Sequence, residues 1–279
     1  AYAHFANPPW DEFSISSFNK NHTAFISGML QEGRNYTFFI RASEQGSNII
    51  FDSERFTFKT REELSNLTIF CNDEDLPNTF DWRNYQEQNW VTPIKEQGRC
   101  GACWAFSAIA PMESIYMLEH NDIEKDFSEQ YFVSCYSGAG CAGRDINLRE
   151  DSLDFLMIEG ISDEECFPYV GSSPQCNHRC SDWNSRIYRI GTYGCVSIGV
   201  NEIKRALVCK GPLISCGAGH CVTIIGWTEE DRLIIKNSWG TDWGDNGYKN
   251  VDFNAGGGSG WLKGAIFYLE GIEVPEELR

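Results

Sequence analysis

The sequence contains no run of 18 or more apolar residues, the length that a membrane-spanning helix needs, so no membrane span is expected. It also begins at Ala1 without a basic stretch followed by an apolar one, which is the pattern of a mature or trimmed soluble chain. Basic residues are scarce, since 23 Lys and Arg stand against 40 Asp and Glu, for a net charge of -17. Such a surface repels phosphate, which excludes nucleic acid as a partner. No motif for a cofactor or a metal is found, and neither is expected.

Apolar residues and cysteines are abundant. Hydrophobic residues make up 42% of the chain and aromatic ones 14%, which is the composition of a folded protein with a core. Twelve cysteines exceed what a cytosolic enzyme of this length needs, and disulfides persist in oxidising compartments. We therefore expect secretion, or a lumen of the lysosomal or vacuolar kind. Three Asn-x-Thr sequons mark candidate glycosylation sites at Asn21, Asn35 and Asn66.

The chain divides by composition into two parts of different pattern. Residues 23–60 alternate apolar and polar side chains in short runs, which predicts antiparallel strands, and residues 1–70 are expected to form a small all-β module. The order of its strands is similar to the later half of a fibronectin type III sandwich, although a β-rich prosegment fits equally well. Residues 71–79 are polar and acidic and predict a linker, a second domain spans 80–272, and 273–279 form an acidic tail.

The second domain is predicted to be α+β. Residues 103–167 have a mainly helical pattern, in which Ala105, Ala108, Met112 and Ile115 form one apolar stripe. After residue 187 the pattern changes to strands, including those at 221–227 and 232–236. A helical lobe followed by a β lobe is therefore expected.

One segment, Gln97-Gly-Arg-Cys-Gly-Ala-Cys-Trp-Ala-Phe-Ser, places a cysteine at the start of a predicted helix. Unpaired backbone N–H groups and the helix dipole favour a thiolate there, so Cys103 is a candidate nucleophile. A thiolate of this kind needs a proton partner and a donor for the oxyanion that it generates, and both usually lie far away in sequence.

Four ordered blocks resemble the papain and cathepsin family of cysteine peptidases. They are Cys100-Gly-Ala-Cys-Trp, Phe127-Ser-Glu-Gln-Tyr-Phe-Val-Ser-Cys followed by Gly140-Cys, Gly219-His-Cys-Val-Thr-Ile-Ile-Gly-Trp, and Lys236-Asn-Ser-Trp-Gly-Thr-Asp-Trp-Gly. The resemblance implies the papain-like two-lobe fold and a thiol endopeptidase that acts on proteins or peptides. A proteinaceous inhibitor is a further possible partner.

The resemblance also implies roles for individual residues. Cys103 would attack the peptide, His220 would act as general base and acid, Asn237 would orient the imidazole, and Gln97 would bind the oxyanion. Trp239 would shield the bond between histidine and asparagine. The implied substrate-binding residues are Gly101, Gly143, Arg144 and Trp239.

The family pattern further implies two disulfides, Cys100–Cys141 and Cys135–Cys176. The spacing around Cys166 and Cys180 makes them a plausible third pair. Five cysteines then remain besides Cys103, so one more thiol is expected to be free or paired outside the chain; the five are Cys71, Cys195, Cys209, Cys216 and Cys221.

Three features depart from the family pattern. His220 follows Cys103 by 117 residues rather than the usual ~130 to 150, so a segment before it is either missing from this sequence or replaced by a pruned cleft wall tied by Cys216 and Cys221. Arg144 replaces a glycine whose backbone pairs with substrate. Pro111 lies inside the nucleophile helix, where an interior proline costs roughly 3 kcal/mol.

These departures keep other functions open. A catalytically impaired papain-like domain could serve as a secreted binding or structural glycoprotein. A thioredoxin-like pair of Cys100 and Cys103 would instead be redox-active. Ligand type also permits a zinc site, made of Cys100, Cys103, His220 and Cys221.

Overall fold

The computed structural model divides the chain into two units, Ala1–Thr68 and Ile69–Arg279. It describes five strands in the first unit, and residues 76–120, 124–136, 140–142, 150–253 and 260–275 in the second. The sequons at Asn21 and Asn66 and the substrate-binding candidates Gly143 and Arg144 lie outside the described residues.

The strands of the first unit form one antiparallel sheet. They are β1 (Tyr2–Phe5), β2 (Glu12–Ser14), β3 (Asn35–Ser43), β4 (Ile50–Asp52) and β5 (Phe56–Lys59). Their order is β2-β1-β3-β4, and β5 also pairs with β3. The strands predicted from alternation at residues 36–42 and 56–59 are therefore present, and the sequon at Asn35 falls at the start of β3.

In its described ranges, the second unit combines four α-helices with an antiparallel sheet, which confirms the α+β prediction. Its helices are α1 (Cys103–Glu119), α2 (Glu129–Cys135), α3 (Glu150–Ile158) and α4 (Val200–Lys210). Its strands are β6 (Phe80–Asp81), β7 (Arg189–Cys195), β8 (Leu213–Gly217), β9 (His220–Trp227), β10 (Arg232–Lys236), β11 (Tyr248–Asp252) and β12 (Ala265–Glu273). The sheet order is β11-β10-β9-β8-β12-β7, with β6 paired to β9.

Helix α1 is the centre of the unit, and it is buried on every side rather than along one stripe. All residues from Cys103 to Met117 are buried, because the helix packs against β8, β9 and β12 as well as α2. A helix with apolar residues on every side is typical of such a position, and α1 also buries Ser107, Glu113 and Ser114. The predicted apolar stripe therefore underestimated how much of this helix the core contains.

Pro111 does not interrupt α1, because a strand compensates for its missing N–H group. Proline at this position deprives the Ser107 carbonyl of its usual helical donor. The hydroxyl of Thr223 on β9 donates to that carbonyl at 3.3 Å. An orphaned buried carbonyl would cost about 1–3 kcal/mol, so the bond both relieves the helix and ties it to β9.

Helix α4 lies in a region that the sequence analysis assigned to strands, and that assignment was wrong here. Ile203, Leu207 and Val208 are buried along one side of this helix, which ends at Gly211 with φ of 91°. The spacing of these apolar residues is helical, and the glycine is a typical helix-ending residue. The sequence therefore contains a helical pattern at this position.

Four disulfides connect cysteines among the described residues. They are Cys100–Cys141, Cys135–Cys176, Cys166–Cys180 and Cys216–Cys221. The first three are the pairs expected from the sequence. The fourth joins two of the five remaining cysteines, while Cys195 is a free, exposed thiol and Cys71 lies outside the described residues.

Candidate active site

The sulfur of Cys103 lies at the N-terminus of α1, where backbone N–H groups have no helical partners. Its N-cap residue, Ala102, has no side chain that could occupy them. Burial is the largest influence on the thiol and raises its pKa, while the backbone N–H groups of Cys221, Trp104 and Cys103 itself donate to the sulfur and oppose that rise. Cys221, which directly follows His220, is the largest of these opposing influences.

His220 is held by Asn237 in one defined orientation. Its Nε2 lies 2.8 Å from Oδ1 of Asn237, and the backbone N–H of Ser238 donates to the same oxygen at 2.9 Å. Since Ser238 N–H can only donate, the amide oxygen rather than the nitrogen must face it, and Nε2 of His220 must carry a proton. In the neutral imidazole, Nδ1 then carries the lone pair that can accept a proton.

Burial opposes the charge on each of these two groups when it is considered alone. His220 is 5% exposed and Cys103 is 3% exposed. Burial lowers the pKa of His220, although the hydrogen bond to Asn237 acts in the opposite direction. Burial therefore disfavours both the thiolate and the imidazolium, and a charge on either group needs an opposite charge close by.

Gln97 is anchored from four directions. Its side chain donates from Nε2 to the Cys100 carbonyl at 2.8 Å and accepts at Oε1 from the Ser238 hydroxyl at 2.7 Å. Its backbone donates to the Ser238 carbonyl at 2.8 Å and accepts from the Tyr169 hydroxyl at 2.9 Å. One of the two Nε2 hydrogens remains available, close to the start of α1.

Two of the four predicted substrate-binding residues lie among the described residues. Trp239 stacks on the His220 ring, with the ring centroids 4.4 Å apart and an interplanar angle of 28°. Gly101 is half-buried, and its N–H donates to the carbonyl of Cys141 at 3.1 Å. Gly143 and Arg144 lie outside the described residues, so their role stays a prediction.

A network of buried and half-buried charges, which was not predicted from the sequence, lies behind the site. Lys95 donates to Glu113 and Glu129 at 2.8 and 2.9 Å. Although burial acts against it, these carboxylates raise the pKa of Lys95 well above its ordinary value. The Thr92 hydroxyl connects the cluster further, because it donates to Glu113 and accepts from Lys236 at 2.9 Å.

This network joins the two chain segments that carry the site. Glu113 lies on α1 with Cys103, and Lys236 directly precedes Asn237. Burial lowers the pKa of the Lys236 ammonium to about 8, and the negative charge of Glu113 is the largest influence in the opposite direction. A charge in one segment therefore stabilises a charge in the other, across the base of the site.

The disulfides exclude two alternatives that the sequence left open, a redox pair and a zinc site. Cys100 is bonded to Cys141, so it cannot cycle with Cys103 as a redox pair. Cys221 is bonded to Cys216, and a disulfide sulfur is not available as a thiolate ligand for zinc. Among the residues that the structure describes, no group of His, Cys, Asp and Glu could hold a metal ion.

The short segment before His220 is a tight hairpin. Strands β8 and β9 are joined by Ala218 and Gly219, which have φ of 46° and 79°, and positive φ at both positions is the requirement of a type I′ turn. Cys216 and Cys221 lie opposite each other across the two strands and are bonded. In the sequence given, the two strands are therefore joined by a two-residue turn and tied by a disulfide.

A scan of protein families matches this chain to "Papain family cysteine protease" over residues 76–218 and 214–266. The two matched segments meet at the β8–β9 hairpin, where the chain is shorter than the family pattern. Because the match covers well over half of the chain, the protein belongs to the papain family of cysteine proteases.

Individual relatives agree with this assignment. A viral cathepsin of Heliothis zea nuclear polyhedrosis virus is 34% identical over 73% of this chain and 65% of its own length. A viral cathepsin of Lymantria dispar multicapsid nuclear polyhedrosis virus is 30% identical over 88% of this chain and 81% of its own. The solved structure of digestive procathepsin L 3 from Tenebrio molitor larval midgut shares the fold, with a TM-score of 0.61 and 24% identity over 72% of each chain. These comparisons do not support the fibronectin type III resemblance.

No helix in the described ranges combines the length and the hydrophobicity that crossing a membrane demands.

Proposed function

We propose that this chain is a thiol endopeptidase in which Cys103 is the nucleophile, His220 the general base and acid, Asn237 the residue that orients the imidazole, and Gln97 an oxyanion donor. One observation carries the proposal. Oδ1 of Asn237 accepts two hydrogen bonds, one from the Ser238 backbone N–H and one from Nε2–H of His220. It fixes the tautomer in which Nδ1 is free to take the thiol proton.

The chemistry follows from these protonation states. Nδ1 of His220 takes the proton from Sγ of Cys103, and the thiolate attacks the peptide carbonyl carbon to form a C–S bond. As the tetrahedral intermediate collapses, the C–N bond breaks and the imidazolium gives its proton to the leaving amine. Water then attacks the thioester with His220 as base, which releases the carboxylic acid and restores the thiol.

Gln97 is suited to the developing negative charge. The intermediate places an oxyanion beside the N-terminus of α1, where the Cys103 N–H and the remaining Nε2 hydrogen of Gln97 are both donors. The four hydrogen bonds of Gln97 hold that donor in place before substrate arrives. A donor that needs no reorganisation during the reaction contributes most to transition-state stabilisation.

The setting of the enzyme is proposed from its disulfides and its relatives. Four disulfides in the described part favour an oxidising compartment, so we place the protein outside the cell or in a lysosome-like lumen. Proteins or peptides are the proposed substrates. Glycans at Asn21, Asn35 and Asn66 and a proteinaceous inhibitor are consistent with that setting.

The first unit is best explained as a prosegment. Residues 80–279 amount to 200 of 279, or 72% of the chain, whereas the match to the Lymantria dispar viral cathepsin covers 88%. That match must therefore extend into residues before 80, which favours a prosegment over an unrelated β module for 1–70. The linker at 71–79, the protease domain at 80–272 and the tail at 273–279 remain part of this proposal.

A thiol-directed epoxide tests the activity directly. We expect hydrolysis of members of a peptide library before labelling, and its loss in step with the formation of one covalent adduct on Cys103. Mass spectrometry of digested protein locates the adduct, and a Cys195→Ser variant, which removes an exposed free thiol, should be labelled and active like the original. If Cys103 gains no mass and no peptide is cleaved, the binding or structural alternative replaces the enzyme.

Replacing Gln97 should impair the chemical step. For Gln97→Ala we expect kcat to fall by about 10² to 10³, with KM changed little, because an oxyanion donor acts mainly in the transition state. Rates are divided by the concentration of Cys103 that reacts with the epoxide, so that misfolded protein does not enter the comparison. Gln175→Ala, at an exposed position, provides the control. A Gln97→Ala enzyme with unchanged kcat would remove Gln97 from the oxyanion site.

A further inference from the structure

The residues just before His220 form a wall of minimal size. Gly217 lies opposite His220 at the end of the β8–β9 hairpin, and only Ala218 and Gly219 connect the strands. A two-residue turn has no side chain long enough to cover an imidazole. Another part of the chain has to cover that side of the ring if the ring is to be held and kept dry.

The short 3₁₀ helix Gly260–Leu262 packs onto this hairpin with very close backbone contacts. The Ser215 hydroxyl donates to the carbonyl of Trp261 at 2.8 Å. A Cβ at Gly217 would overlap the Gly260 carbonyl, and one at Gly264 would overlap the carbonyl of Cys216. The missing side chains therefore allow the helix to approach the hairpin, and this approach sets the position of Trp261.

The indole of Trp261 contacts the His220 ring. The ring centroids are 4.8 Å apart, with an interplanar angle of 70°. Trp261 also packs edge-on against Trp239, at 5.7 Å and 85°, and Trp239 itself is stacked on His220. The imidazole is consequently enclosed by two half-buried indoles, one parallel to it and one steeply inclined.

This enclosure matters for both states of the imidazole. A half-turn of the ring about its Cβ–Cγ bond would place ring carbons where Nδ1 and Nε2 lie and would break the bond to Asn237 Oδ1. When His220 carries the thiol proton it is a cation, and aromatic rings within about 6 Å attract cations. Asn237 is neutral, and the influences on the pKa of His220 are burial and the hydrogen bond to Asn237, with no charged residue among them.

We propose that Trp261 is a positioning residue for His220, which holds the imidazole plane and favours the imidazolium in place of the cleft wall that the short hairpin lacks. The inference depends on the proposed function, because it assumes that His220 is the general base and acid. Trp261 acts through His220 and is not itself a catalytic residue.

Two substitutions at this position separate positioning from simple support of the fold. For Trp261→Ala we expect kcat to fall by about 10-fold to 10²-fold per titrated thiol, as for a misplaced catalytic group, while KM changes less than about threefold. The alkaline limb of the kcat/KM profile should move to lower pH by about half a unit, since the imidazolium loses an aromatic neighbour. Trp261→Phe keeps a ring in place and should restore most of the rate and the position of the limb.

Trp183→Ala provides the matched control, because it also removes a half-buried indole. Trp183 packs against Arg179 and is not in ring contact with His220. This variant should leave kcat, KM and the alkaline limb unchanged. If Trp261→Ala matches the original enzyme, or loses rate without moving the alkaline limb and without rescue by phenylalanine, the positioning role is overturned. An original enzyme that neither binds the epoxide nor cleaves peptides contradicts the proposed function instead.

Discussion

Replacing His220 by alanine should reduce kcat/KM by about 10⁴-fold or more, because the base and the acid of the reaction are lost together. The structure gives a specific reason why the thiol cannot compensate. Burial raises the pKa of Cys103, and the three backbone N–H groups that donate to the sulfur do not overcome that effect. Without an imidazolium beside it, Cys103 should therefore remain a neutral thiol near pH 7.

The rate of alkylation of Cys103 by a small haloacetamide measures this state directly. In the original enzyme, we expect fast alkylation that persists well below the ordinary thiol pKa, because the ion pair supplies thiolate. In His220→Ala, the acidic part of the profile should disappear and a single rise should remain above the ordinary thiol pKa. His178→Ala, at an exposed position, should leave the profile unchanged. An unaltered profile in His220→Ala would show that the thiolate does not depend on His220.

Removing the carboxylate of Glu113 should destabilise the protease unit by about 3 to 5 kcal/mol, the range typical of breaking a buried ion pair. Glu113 is 1% exposed, and it accepts hydrogen bonds from Lys95, Thr92 and the backbone of Phe127. In Glu113→Ala all three donors lose an acceptor. Buried Lys236 also loses its largest favourable charge interaction.

Chemical denaturation followed by tryptophan fluorescence gives the free energy of unfolding of each variant. Glu113→Gln keeps the shape and one acceptor, so it should cost less than the alanine variant. Glu229→Ala, in the exposed turn after β9, should change stability by less than about 0.5 kcal/mol. If Glu113→Ala unfolds like the original protein, the network is not a stabilising connection between α1 and Asn237.

The candidate site residues could be proposed from the sequence because each lies within a local motif. Cys103 and Gln97 lie within one stretch of seven residues, and His220 and Asn237 have characteristic neighbours on either side. The helix around Cys103 also followed from apolar spacing. Local patterns of this kind depend on few long-range contacts, and they remain visible when the surrounding segments change length.

The features that were not predicted depend on contacts between distant segments. Trp261 lies 41 residues beyond His220 and directly follows a glycine-rich stretch whose composition indicates only a surface loop. Its position depends on absent side chains at Gly217 and Gly264, which no periodicity reveals. Helix α4 is a different case, because its apolar spacing was present but lay among segments with strand patterns.

Because the Thr223 hydroxyl bonds to the Ser107 carbonyl, the effect of a substitution at Thr223 depends on whether residue 111 is proline. If the strand lost its hydroxyl first, the helix would keep a proline and an unsatisfied carbonyl; if the helix lost its proline first, the carbonyl would regain its helical donor at no such cost. A stepwise change between the two arrangements therefore avoids an unsatisfied carbonyl only if the hydroxyl is present whenever the proline is present. Grafting this helix into a relative would require transferring the threonine as well.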